Sequence, residues 1–175
     1  QNIHVIDMAN WYLCAHPLKA NGGGGRTDWT GTPFDYGDAW DHFTVNYWYP
    51  NNVHTSFSSN QLTRTFSDLC VRCFGAFGSA DTHYGGLVRI ASEHEGKTWQ
   101  GAEKDDTFKG GCITNIKTFI ESIRAGKPVN NAADAVESNL TAILGRMAAY
   151  QERTVTWDEM MASNERWQLN LKLKW

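Results

Sequence analysis

The chain has 175 residues, with 41% hydrophobic and 20% charged residues, which bounds it to one compact globular domain with a real core. A net charge of −3 without any Lys/Arg cluster argues against a nucleic-acid groove, and no apolar run approaches membrane-span length. Eight Trp, six Tyr and eight Phe suit broad sheet faces, bulky core packing or a carbohydrate-binding surface.

The opening "QNIHVIDMANWYLCAHP" reads as a helix already under way, with no Met and no leader, so a region upstream is expected. Ile3, Ile6 and Leu13 recur at helical spacing with Asn10 interrupting the stripe. His4, Asp7 and Trp11 fall on a different face at i, i+3 and i+7. Pro17 disfavours a helical residue before it and closes the helix at His16. The four glycines at 22–25 lack the setting of a phosphate-binding loop and read as the frayed end of a strand. They lead into a long loop rich in Asp, Trp and Tyr.

In "HFTVNYWYPNNVHTSFSSNQ", Phe43, Val45, Tyr47 and Tyr49 alternate with Thr44, Asn46 and Trp48. Val53, Thr55 and Phe57 continue the pattern after a Pro-Asn-Asn turn, which predicts a hairpin over 42–49 and 53–60. Further strands follow in "LCVRCFGAFGSADTHY" and "GGLVRIASE", joined by short Gly-containing turns, hence a largely antiparallel sheet.

The last third is helical. Ile113, Ile116, Ile120 and Ile123 form one apolar stripe, stopped by Gly126 and Pro128. Val136, Leu140, Ile143, Leu144 and Met147 form a second, with Asn131 at the N-cap position and Asp134 near the positive end. These two helices are expected to pack together on one face of the sheet. Thr156 and Glu159 make a capping box for a last short helix. The fold class is therefore α+β: an open, mainly antiparallel sheet with helices on one face.

Chemistry is harder to place. Cys70 and Cys73 form a lone C-x-x-C in a strand-like stretch, where residues three apart point to opposite faces. Without a second ligand pair they read as structural thiols, and no metal is expected. Four cysteines without a framework fit a reducing or an oxidising compartment alike, so localisation is left as cytoplasmic or, with a leader removed, periplasmic or secreted. There is no G-x-S-x-G, H-E-x-x-H, P-loop or G-x-G-x-x-G. Asp35, Asp38 and Asp41 suit solvation of a loop better than paired-carboxylate catalysis. Taken alone, a helical histidine such as His4 near an Asp such as Asp7 is a structural hydrogen-bond pair more often than a catalyst.

The stretch "NIHVIDMANWYLCAHPLKANGGGGR" resembles the segment after the nucleotide-binding half of the Gfo/Idh/MocA oxidoreductases, the glucose–fructose oxidoreductase and inositol dehydrogenase family. "YGDAWDHFTVNYWYPNNV", "GAFGSAD" and "FIESIRAGKPVNNAADAVESNLTAILGRMAAYQERTVTWDEM" resemble the same family's C-terminal domain, in order. The resemblance implies that residues 1–175 are a single C-terminal substrate-binding and oligomerisation domain. It implies an NAD(P)-dependent sugar or polyol oxidoreductase whose NAD or NADP is bound mainly by an N-terminal Rossmann half. It places His4 at the catalytic histidine position, taking a proton from a sugar hydroxyl while hydride leaves the same carbon. A neutral imidazole suits that task, the ordinary histidine pKa being about 6.5. Asp7, Arg26 and Tyr36 are the implied substrate-binding residues, and a homo-oligomer through the sheet face is expected. Two other readings keep the fold: a glycoside-cleaving enzyme that oxidises a sugar carbon transiently, and a non-catalytic module binding carbohydrate or protein. Net accumulation of NAD(P)H separates the first two.

Overall fold

A computed structural model describes residues 3–27, 39–62, 66–101 and 107–166. The elements are helix α1 (Ile3–Leu13), strands β1 (Lys19–Gly25), β2 (His42–Trp48), β3 (His54–Asn60), β4 (Cys70–Gly75), β5 (Gly78–His83), β6 (Val88–Ser92) and β7 (Trp99–Gln100), helices α2 (Thr107–Arg124) and α3 (Ala132–Tyr150), strand β8 (Val155–Thr156) and helix α4 (Trp157–Ala162). The class is α+β with antiparallel pairing throughout, as the patterning predicts. The strands divide between two four-stranded sheets, ordered β3-β2-β1-β8 and β4-β5-β6-β7. No helix among the described residues is long and apolar enough to cross a membrane.

The chain forms two compact units, Gln1–Cys14 with Thr63–Leu140, and Ala15–Leu62 with Thr141–Trp175. The second unit holds the β3-β2-β1-β8 sheet. The predicted hairpin is present, with Trp48 opposite His54 and Val45 opposite Phe57. Val45, Tyr47 and Tyr49 are buried while Thr44 and Asn46 are exposed, so the period-two reading located the covered face. Ala20, Val155, Leu144, Met147, Ala148 and Met160 complete this core. α3 approaches the sheet so closely that a Cβ at Gly145 would collide with the Tyr47 ring.

The glycine run is not a frayed end. All seven residues of β1 pair with β2, from Lys19 opposite Trp48 to Gly25 opposite His42. A Cβ at Gly22 would stand 2.6 Å from the Thr44 carbonyl oxygen, so the glycines permit a close approach of the two backbones. Asp41 also departs from expectation. Instead of solvating the loop it is 1% exposed. Its carboxylate accepts from the Thr27 backbone N–H at 2.6 Å and faces His42 Nδ1 at 2.7 Å. Its own N–H donates to the Gly25 carbonyl at 2.9 Å. Burial without these partners would be costly, so Asp41 pins both ends of the loop that joins β1 to β2. Asp35 and Asp38 lie outside the described residues.

The first unit holds α1, the β4-β5-β6-β7 sheet, α2 and the beginning of α3. α1 ends at Leu13 and Cys14 enters the left-handed region at φ 49°. α2 ends as its sequence signals. Gly126 takes φ 68°, its N–H donates to the Ile123 carbonyl, and the Lys127 N–H donates to Ser122. Asn131 stands before α3 and its carbonyl accepts from Ala135, but the side-chain oxygen that meets the helix start belongs to Asn130. The α2 stripe does not enter a core in this chain. Ile113, Ile116, Ile120 and Ile123 are 58%, 62%, 41% and 53% exposed. Thr156 caps α4 by accepting from the Glu159 N–H at 3.2 Å.

Candidate active site

Helical spacing on α1 sorts its side chains as the sequence predicts. Ile6 and Asn10 are buried, whereas His4, Asp7 and Trp11 are exposed, Trp11 at 73%.

His4 stands in the first turn of α1 with its ring stacked on Tyr84, centroids 5.9 Å apart and planes inclined by 23°. Tyr84 sits in the turn after β5, where its backbone N–H donates to the Leu69 carbonyl at 2.8 Å. The imidazole lies against an aromatic ring, and His4 as a residue is exposed. Asp7 makes no hydrogen bond to His4. Its Oδ1 instead accepts from the hydroxyl of Ser138 on α3 at 2.6 Å. Ser138 is only 3% exposed whereas Asp7 itself is exposed, so the hydroxyl that anchors the carboxylate is buried. At the far end of α1, the Tyr12 hydroxyl meets Thr82 Oγ1 of β5 at 3.2 Å. These side-chain contacts hold α1 against the first unit's sheet and α3, and they present His4 and Asp7 together on its open side.

Two further residues are implied for substrate binding. Arg26 follows β1 in the second unit and is half-buried, and Tyr36 lies outside the described residues. Tyr84 and Ser138 are the members that sequence reasoning missed. Neither carries a motif, and each reaches α1 only through long-range packing, Ser138 from 131 residues away.

No known family profile matches the sequence. No curated protein sequence matches it either. Solved structures do. Aldose-aldose oxidoreductase from Caulobacter crescentus, complexed with glycerol, superimposes with a TM-score of 0.66 at 15% identity, over 89% of this chain and 45% of that one. Myo-inositol 2-dehydrogenase from Lactobacillus plantarum gives 0.67 at 16% identity, over 89% and 47%. An oxidoreductase from Agrobacterium radiobacter, in complex with NAD+, L-tartaric acid and magnesium, gives 0.67 at 13% identity, over 90% and 48%. The fold is that of the C-terminal domain of the Gfo/Idh/MocA-type oxidoreductases. The chain spans about half the length of the solved structures it matches.

Within that fold α1 leads directly into the sheet region, and the glycine-bearing β1 is a fully paired strand. Its glycines have no strand-turn-helix setting of the kind that cradles a phosphate.

Proposed function

We propose that this chain is the substrate-binding and oligomerisation half of an NAD(P)-dependent sugar or polyol oxidoreductase, with His4 as its general base. The observation that carries the reading is the placement of His4 on the open side of α1, backed by Tyr84 and one turn from an anchored carboxylate. A proton acceptor must reach the hydroxyl it deprotonates within hydrogen-bond distance, and an exposed ring edge permits that approach. Asp7, held from behind by Ser138, offers its second oxygen as an acceptor for a neighbouring hydroxyl. Arg26 and Tyr36 are the further substrate contacts under this reading. A nicotinamide, bound by a second domain, takes up the hydride; the proton is the business of this half.

Residues 1–175 form one such half, and sheet faces pair between copies. The test is hydride transfer to NAD+ and NADP+ from a panel of aldoses and polyols, using the full-length protein. Accumulation of reduced nicotinamide that depends on His4 supports the proposal. Glycosidic cleavage without net reduction would favour the transient-oxidation reading. Saturable sugar binding without either reaction would favour a binding module.

A further inference from the structure

A second constellation lies on the first unit's sheet, on the face away from the Tyr12–Thr82 contact. Antiparallel partners point the same way and neighbours along a strand point oppositely. Cys70 pairs with His83, Arg72 with Asp81 and Asp81 with Arg89, so these five side chains share a face that Thr82 does not. Asp68, two residues before β4, joins them from the side. Its Oδ1 is 2.7 Å from His83 Nδ1, and its Oδ2 is 3.5 Å from Cys70 Sγ and 3.0 Å from an Arg72 amine nitrogen.

We propose that Asp68, Cys70 and His83 form a binding site for a divalent transition metal of the zinc class, with Asp81 holding His83 from behind. One ligand atom from each lies within 4.8 Å of the others. Tetrahedral zinc, with bonds of about 2.0–2.3 Å, needs ligand atoms roughly 3.3–3.7 Å apart. The Cys70 Sγ–Asp68 Oδ2 edge already has that length. The contact of His83 Nδ1 is with the other oxygen, Asp68 Oδ1, at 2.7 Å, so the carboxyl has to rotate to offer one oxygen to the ion, and its edge to Nδ1 has to open by roughly 0.6 Å.

The surroundings fit a metal as well as the ligands do. His83 Nε2 is 3.0 Å from Asp81 Oδ1 and 3.3 Å from an Arg72 guanidinium nitrogen, and Nδ1 faces Asp68; with the proton on Nε2 and turned to Asp81, the ring would take the carboxylate-behind-histidine arrangement of metal sites and leave Nδ1 to coordinate. Asp81 Oδ1 is buried and lacks a well-directed hydrogen bond, although Arg72 Nε also stands 3.1 Å away. Turning the imidazole onto a metal aims its Nε2–H at that oxygen. The charges also close. One carboxylate and one thiolate neutralise a divalent ion, the Cys70 thiol proton leaving to solvent, and Asp81 is flanked by Arg72 and by Arg89 at 3.3 Å. A thiolate, an imidazole and a single carboxylate select zinc or cobalt over magnesium or calcium. Three protein ligands leave a fourth position for water.

Titration of the metal-free full chain with Zn2+ by calorimetry, and with Co2+ by absorption, tests the site. One equivalent should bind, and Co2+ should give the near-ultraviolet band of a thiolate ligand. Cys70→Ser should abolish that band, whereas Cys73→Ser, which alters the opposite face, should retain it. His83→Ala should remove saturable binding, and Asp81→Asn should weaken it by about 10–100-fold. Circular dichroism of each metal-free variant checks that the sheet is intact. Absence of saturable Zn2+ binding to the wild type overturns the proposal, as does a thiolate band that survives Cys70→Ser.

Discussion

The Ser138 hydroxyl donates to Asp7 Oδ1 across 2.6 Å, tying the buried side of α3 to the exposed side of α1. A hydrogen bond to a charged group contributes about 1.5–3 kcal/mol when buried, and an accessible carboxylate lowers that figure. Ser138→Ala should therefore cost about 1 kcal/mol in urea denaturation. On the function proposed above, it should also lower turnover of the full-length protein by loosening the helix that carries His4. A variant with unchanged stability and unchanged turnover would show that the contact positions nothing.

On the general-base role proposed above, His4→Ala in the full-length protein should lower turnover by roughly 10²–10⁴-fold, the scale of a positioned acid–base group. Stability should change little, because the ring is exposed and contributes only its stacking on Tyr84. His4→Asn keeps a polar side chain but cannot take the proton, so it should be nearly as inactive. The opposite pattern, a fallen melting temperature with normal activity per folded molecule, would make His4 a structural residue.

Gly145 faces the Tyr47 ring with no room for a Cβ. Gly145→Ala should destabilise by about 1–3 kcal/mol through overpacking, more than the roughly 1 kcal/mol that alanine gains in a helix interior. The atom nearest that Cβ is the Tyr47 hydroxyl, so the same change should cost less in a Tyr47→Phe background. Denaturant midpoints of the four proteins complete the cycle. A stabilised Gly145→Ala would mean that α3 and the sheet separate easily.

Burial pushes the Tyr47 phenol well above its ordinary pKa, with Tyr49 adding to the shift. A tyrosine in the unfolded chain ionises near pH 10, whereas folded Tyr47 holds its proton. The raised folded value means that its contribution is present in full below about pH 10 and is lost as pH rises beyond it. Melting temperatures of wild type and Tyr47→Phe should run parallel below about pH 9, and the wild type should fall more steeply above about pH 10. Parallel curves throughout would show that the phenol is not kept from water.

Ile90 and Trp99 are paired across β6 and β7, so they share a sheet face, and they are 46% and 52% exposed. The proposed pairing of copies through the sheet would cover apolar side chains of this kind. Light scattering should show a dimer or larger assembly, and Trp99→Ser should shift it towards monomer. A strict monomer at high concentration would refute pairing through the sheet.

Local patterning was enough for the hairpin, the Gly126 stop of α2, the Thr156 cap of α4 and the exposed His4–Asp7–Trp11 face of α1. Each depends on residues within a few positions of one another, where backbone geometry dictates which side chains align. What local patterning could not show is partnership over distance. The register of β4 on β5 sets Cys70 opposite His83, and a shift of one residue would turn one of the two to the other face. The Asp7–Ser138 bond requires α1 and α3 to meet from opposite ends of the chain. Burial was misjudged for the same reason. The α2 isoleucines have the periodicity of a core face yet stay exposed, and Asp41 looks like a loop acid yet is buried. Periodicity tells which side chains share a face; only the tertiary arrangement decides whether anything covers it, because burial depends on what packs there.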